Sequence, residues 1–394
     1  MLGKIFLVVY LIAQVGVSLV TEYVWDNNEP IKKIGRKTRA IRIFIYAILA
    51  IIPMLGAYLP RSPFKYWCLG AGNVWFAFFM YYAPAVLIFC LIAVIIAKAR
   101  KKKRSRLIGF SLFAAFIPAL ILSVYGLYHA QQIKVTNEQI TIEAPNAQEL
   151  NDMRIVLIAD LHLSVNSTPE MTERMVDLVN EQNPDLILVA GDIFTSNYMG
   201  LREPDRYSDA LSNMHATYGV YAVCGNHDVD ENLFGGFSVS PISEAFRTDE
   251  MSGFLDRCGF TILDDEALTI ADGAVTVVGR LDERKPGDGT SDRLTPEELL
   301  SGCDHNTPIL VIEHEPVEFD ELNAAGTDAV FCGHTHNGQV FPGNILIHLF
   351  NEYAYGVEHI DDMDIIVTAG VGYYGPPIRI GTDGEIMVID VSFE

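Results

Sequence analysis

Four long apolar stretches fill the first third of the chain, at about 5–20, 43–59, 71–97 and 107–127. A helix needs about 20 apolar residues to cross the hydrocarbon core of a bilayer. In lipid only a helix or a closed barrel satisfies its own backbone. The chain is therefore read as a four-helix transmembrane anchor over 1–130, a polar connector over 131–150 and a folded domain over 151–394. The first stretch is the shortest and carries Gln14 and Ser18. Three further spans follow it and no small-residue cleavage site does, which favours a span over a signal peptide. Pro53, Pro84 and Pro118 fall inside spans, where neighbouring helices absorb a kink.

Charge divides the chain at the same place. The first 130 residues hold 16 Lys/Arg against 3 Asp/Glu, and the remainder holds 12 against 47. The first loop carries Lys32, Lys33, Arg36, Lys37, Arg39 and Arg42, and the third carries Lys98, Arg100, Lys101, Lys102, Lys103, Arg104 and Arg106. The second has only Arg61 and Lys65. Basic loops stay cytoplasmic, so both termini, and with them the acidic domain, are expected outside the cytoplasm at the cell membrane. The acidity of that domain keeps it soluble and argues against nucleic acid, because no basic stripe is there to neutralise phosphates. The spans hold few ionisable residues, which disfavours an ion path and hence an accessory role in a transporter.

Five short polar motifs punctuate the acidic domain: Asp160-Leu161-His162, Gly191-Asp192, Gly225-Asn226-His227-Asp228, His314 within Ile312–Pro316, and Gly333-His334-Thr335-His336. Each follows an apolar run that reads as a buried strand, at 155–159, 186–190, 220–224, 309–312 and 329–332. Strand ends are where α/β folds assemble sites. Together the motifs offer carboxylate, amide and imidazole donors and no thiolate, a set suited to a pair of Mn, Fe or Zn ions. Asp160 and His162 are two apart, so on an extended chain they point the same way. Asp192 has two oxygens with which to bridge two ions. The glycines ahead of the ligands provide tight turns.

The ordered set resembles the calcineurin-like metallophosphoesterases. With Asn337-Gly338-Gln339 and Gly375-Pro376-Pro377-Ile378-Arg379, it is similar to a bacterial membrane-anchored branch of them. The resemblance covers about 150–394 and implies an α/β fold, a four-layer αββα sandwich of two mixed sheets. It implies that one metal takes Asp160, His162, Asp192 and His336, and the other Asp192, Asn226, His314 and His334. It further implies attack by a hydroxide bridging the ions, with His227 protonating the leaving oxygen as general acid and Asp228 holding its ring. The expected substrate is a phosphodiester or pyrophosphate, lipid-linked or envelope-derived, because the site is anchored near a membrane. A catalytically silent metal-stabilised binding domain is the alternative, and the intact ligand set with His227 counts against it.

Arg379 is a candidate for binding substrate phosphate, with an ordinary loop salt bridge as its other reading; Arg280 is read as structural. His129, His215, His305, His348 and His359 lie outside the motifs. Asn337 and Thr195 depart from residues common in the resembled family. Cys224 and Cys332 end buried strands and are read as inert, whereas Cys258 and Cys303 can pair in an oxidising compartment. Thr168-Pro169 and Thr295-Pro296-Glu297-Glu298 open helices, and a further helix is expected from about 242 to 257, stopping at Gly259.

Overall fold

The computed structural model describes residues 2–101, 103–144, 152–196, 198–239, 246–287 and 293–394. The chain forms two compact units. One comprises Met1–Tyr128 with Asn232–Ser240 and Gly375–Ile378; the other comprises His129–Glu231, Pro241–Tyr374 and Arg379–Glu394.

The first unit is helical: α1 (Leu2–Asn27), α2 (Glu29–Tyr58), α3 (Pro63–Arg100) and α4 (Arg104–His129). All four are long and apolar enough to cross a membrane. They begin before the apolar stretches, since Lys and Arg are good helix formers; the basic first loop is itself the first turns of α2. Side chains such as Ile12, Leu19, Phe44, Leu87 and Phe110 stand exposed, as lipid-facing positions do. Near the polar ends Glu22 accepts from the Arg42 guanidinium at 2.8 Å. Pro53, Pro84 and Pro118 lie within continuous helices.

The second unit begins with β1 (Ile133–Ile142) and β2 (Asp152–Ile158), then alternates α5 (Pro169–Glu181), β3 (Leu186–Ala190), α6 (Pro204–Leu211) and β4 (Val220–Val223). A short hairpin, β5 (Leu233–Phe234) and β6 (Phe237–Ser238), belongs to the helical unit. There Phe234 packs edge-on to Phe6 and Tyr10, with centroids 5.7 and 5.3 Å away, and Phe237 lies 5.9 Å from Phe76. The chain continues through α7 (Asp249–Cys258), β7 (Thr261–Ile262), β8 (Glu266–Ile270), β9 (Val275–Gly279), α8 (Pro296–Leu300), β10 (Ile309–Ile312), α9 (Phe319–Ala324), β11 (Ala329–Cys332), α10 (Gly343–Phe350), β12 (Gly356–Ile360), β13 (Met363–Val367) and β14 (Gly384–Phe393).

Two mixed six-stranded sheets result, in the orders β1-β14-β2-β3-β4-β7 and β12-β13-β11-β10-β9-β8. Alternation along each strand builds the layers. Ile155 and Leu157 of β2 point into the seam between the sheets with Leu186, Leu188, Leu310, Ile312 and Phe331. Val156 and Ile158 point the other way, beneath Met175, Tyr207 and Phe254 of α5, α6 and α7. The second sheet has the same outer cover, Leu300 and Phe319 of α8 and α9 over Val311 and Val330. This is the αββα sandwich.

Two boundaries differ from the sequence reading. The segment expected to be a connector is mostly β1, which pairs in parallel with β14 along its whole length. Its exposed face is polar, as an edge strand's is, which disguised it; residues 145–150 of that segment, with Pro145, lie outside the described residues. The helix expected from 242 starts at Asp249, capped by the Thr248 side chain, and its first expected residues also lie outside. Gly259 ends it in the left-handed conformation, as expected. Thr295 and Glu298 form a capping box at α8. Cys258 and Cys303 are both free.

Candidate metal centre

Parallel neighbours β2, β3 and β4, and β9, β10, β11 and β13, end at one edge of the second unit. The motifs begin where these strands stop. Two groups of buried donors converge there: Asp160, His162 and His336, and Asp160, Asp192 and His314. In the first, His162 Nε2 is 3.0 Å from His336 Nε2 and His336 Nε2 is 3.3 Å from Asp160 Oδ1. In the second, His314 Nε2 is 3.1 Å from Asp192 Oδ2. His334 Nδ1 joins this side, 3.3 Å from His314 Nε2 and 3.2 Å from Asn226 Oδ1. All seven expected ligands therefore meet.

One expectation about their geometry is corrected. Asp160 and His162 are not on extended chain; both have positive φ, 55° and 46°, as have Asp192, His334 and His336. Left-handed backbone costs a non-glycine residue about 1–3 kcal/mol and clusters at functional sites. Here it folds the loops back so that donors two residues apart face one cluster. The two oxygens of Asp192 have different neighbours. Its Oδ1 accepts the His227 backbone N–H at 2.8 Å, while Oδ2 alone lies 3.1 Å from His314 and 3.5 Å from His162, between the clusters. At Gly225 a Cβ would sit 2.7 Å from the His314 ring, so glycine is what allows the loop this close.

The donor set fits metal ions. The His314 Nδ1 lies 2.8 Å from the Ala190 carbonyl oxygen, which only accepts, so Nδ1 carries the hydrogen. Its Nε2 then turns a lone pair toward the Asp192 carboxylate, a contact that needs a cation or a proton between. Burial opposes charge on His314, yet Asp192 and Asp160 hold it well above its ordinary value. Burial brings His162 and His334 down to about 3 and His336 lower still, with His162 and Arg379 adding to it. These three are neutral imidazoles, the form that ligates. Burial lifts Asp160 to about 7, with His314 opposing and Asp192 adding to the rise.

Around the ligands, His162 Nδ1 is 3.0 Å from Thr195 Oγ1, a partner that orients the ring. His227 lies beside the clusters, its ring 5.7 Å from that of His162. Asp228 does not hold the His227 ring. Its oxygens accept the backbone N–H groups of Phe194 and Gly225, at 2.7 and 2.8 Å, and so tie two ligand loops together. The ring is instead held by Ser196, 3.2 Å from Nδ1, which donates to Glu231 at 3.1 Å; Lys285 binds Glu231 at 2.9 Å. Sequence reasoning passed over Ser196, Glu231, Lys285 and Tyr374. Glu231, four residues after His227, was the one detectable signal.

Arg379 is not placed to bind substrate. It is fully buried, and its guanidinium donates to the carbonyls of Ala369, Gly372 and Asp383 at 2.7–2.9 Å. Arg280 is likewise buried, paired with Glu313 and Glu318 at 2.7 Å, which fits its structural reading.

Residues 153–338 match the family model for calcineurin-like phosphoesterases. A transmembrane protein with metallophosphoesterase domain from Danio rerio is 31% identical, over 69% of this chain and 60% of its own length. A metallophosphoesterase of Campylobacter jejuni is 23% identical, over 98% of this chain and 99% of its own. One of Bacillus subtilis is 28% identical, over 68% of this chain and 89% of its own. The chain thus spans three fifths of the fish relative and nearly all of the Campylobacter one. Residues 153–338 thus carry a calcineurin-like metallophosphoesterase domain, with four candidate transmembrane helices ahead of it.

Proposed function

We propose that the chain is a membrane-anchored, extracytoplasmic phosphoesterase that cleaves phosphodiester or pyrophosphate bonds at a two-metal site, with His227 as general acid. The observation that carries the reading is the hydrogen-bond chain behind His227. Because Ser196 donates its hydroxyl hydrogen to Glu231, its oxygen accepts from His227 Nδ1–H. That leaves Nε2 to carry the mobile proton. Glu231 is itself paired with Lys285, which holds the far end of this chain in place. A lone acid next to the ligands suits an alkoxide or phosphate leaving group.

Asp160, His162, Asp192 and His336 would hold one ion, and Asp192, Asn226, His314 and His334 the other. Two divalent ions bound there supply Lewis acidity toward a phosphoryl oxygen and acidify water. The Asp192 carboxylate also accepts from the His227 backbone, so the residue that would bridge the two ions positions the acid as well.

The extracytoplasmic side rests on the basic first and third loops. Within the helical unit, Lys65, at the start of α3, reaches Asn232 of the hairpin segment at 3.4 Å, and Phe6 of α1 packs on Phe234.

The test uses the full chain in detergent, stripped with chelator and reloaded with Mn, Zn or Fe. Hydrolysis of bis(4-nitrophenyl) phosphate should appear only on reloading and exceed that of the monoester 4-nitrophenyl phosphate. Full activity in metal-free protein, verified by elemental analysis, would overturn the two-metal reading; a monoester preference would overturn the substrate class.

A further inference from the structure

Helix α10 is built unlike the other helices of the second unit. Its sequence, GNILIHLF, has no charge, and none of its residues is buried. Ile345, Leu346, Leu349 and Phe350 are 55, 45, 72 and 81% exposed, and Phe341 just before the helix is 51% exposed. At 100° per residue the four helical positions fall within one arc of about 140°. Gly343, Asn344 and Ile347 on the other side are half-buried. The helix therefore turns its apolar face outward. Scattered exposed apolar residues need no explanation, but five in one patch do.

The patch is attached to the metal centre. Helix α10 starts seven residues after His336, and its His348 Nε2 is 2.9 Å from the Oδ1 of Asn337, the residue following that ligand. It is also neutral ground in an acidic domain: from Ala329 to Asn351 no residue is Asp, Glu, Lys or Arg, although the chain beyond residue 130 holds 47 acidic residues. An anionic bilayer surface repels the rest of the domain and accepts this stretch. The chain's own four spans guarantee that a bilayer is within reach.

We propose that α10, with Phe341, lies in the surface of the bilayer and buries its apolar face among the acyl chains. The phosphoester reaching the metals is then one carried on a membrane lipid, presented at headgroup height. This deepens the phosphoesterase reading above and rests on it for the substrate class, though not for the placement of the helix. Interfacial helices bind in this way through a strip of large apolar side chains.

The experiment takes the full chain in nanodiscs of phosphatidylethanolamine and phosphatidylglycerol, with Cys90→Ser and Cys303→Ser and an environment-sensitive fluorophore on Leu349→Cys. Shallow spin-labelled lipids should quench the emission, and aqueous iodide should not. Quenching by iodide alone would leave α10 in water and overturn the proposal. Resistance to both quenchers, with or without a disulfide-linked dimer, would mean that protein covers the face, and overturns it equally. In a second arm, Leu349→Asp with Phe350→Asp should lower hydrolysis of a 4-nitrophenyl phosphodiester of diacylglycerol in the disc by about tenfold, while hydrolysis of soluble bis(4-nitrophenyl) phosphate stays within about twofold. Equal rates on both substrates, before and after substitution, would remove lipid presentation. If the parent protein hydrolyses neither, the phosphoesterase reading fails, and the quenching still decides where α10 lies.

Discussion

Tyr374 stacks on His227, ring on ring, with centroids 4.2 Å apart and planes 26° apart. Tyr374 is held by its backbone, whose N–H donates to the Gln339 side chain at 2.8 Å. Ser196 fixes one edge of the imidazole and Tyr374 one face, so the acid has a single orientation. Tyr374→Leu should therefore leave metal content unchanged and lower turnover by about tenfold for a poor leaving group, a usual cost for a misaligned acid. A series of phenyl diesters of rising leaving-group pKa measures it; an unchanged slope would mean that the stack plays no part in proton delivery.

His227→Ala separates the acid from the ligands. Both ions should remain by elemental analysis, and turnover of an alkyl diester should fall by about 10²–10⁴-fold, the usual contribution of a general acid. The loss should shrink for nitrophenolate, which needs little protonation. An equal loss across leaving groups, with metal retained, would mean that His227 positions the phosphate instead.

Asp192→Asn should behave oppositely. The one oxygen that faces both clusters, Oδ2, lies between His162 and His314, and the substitution neutralises it. Metal stoichiometry and activity should fall together, and excess metal should restore part of both, because metal affinity typically drops about 10–100-fold when ligation is weakened this way. Retention of two tightly bound ions would exclude Asp192 as the shared ligand.

The layers and the convergence of the candidate ligands were legible because apolar runs of four or five residues, each ended by a polar motif, read as buried strands delivering side chains to one edge. The way each ligand is turned was not legible. Whether Asp160 and His162 share a face depends on left-handed backbone that no residue pattern announces, and the neighbours of Asp228 are two main-chain N–H groups that carry no sequence signal. Arg379 misled for a related reason. An arginine near a phosphate site reads as a ligand until its guanidinium is seen to be used up by carbonyl oxygens. Strand β1 was lost because an edge strand with a polar face has the composition of a linker, and its partner β14 lies 251 residues further on, Ile133 opposite Gly384.

The proposed orientation rests on the basic loops. Cysteines placed at exposed, non-catalytic positions of the second unit, such as Glu358 and Asp320, should react with a membrane-impermeant maleimide on intact cells. A cysteine in the basic third loop, at Lys103, should react only after lysis. The reverse pattern would put the phosphoesterase domain in the cytoplasm.

Arg379 offers the sharpest contrast between two roles. Burial holds its guanidinium down to about 10, against Asp160 and Glu385, which raise it. Its donors end on main-chain oxygens of Ala369, Gly372 and Asp383, with Nη2 3.3 Å from His336 Nδ1. Arg379→Met removes these donors and strands several buried carbonyls, each at about 1–3 kcal/mol, so the domain should lose about 3–5 kcal/mol and melt about 6–15 °C lower. Arg379→Lys, with one ammonium in place of the fork, should fall between. Metal at the cluster holding His336 should weaken in both, and the KM of the metal-replete protein should stay where it was. A substrate-binding arginine would do the reverse, raising KM at unchanged Tm. Melting curves, metal content and KM on the three proteins decide between the two.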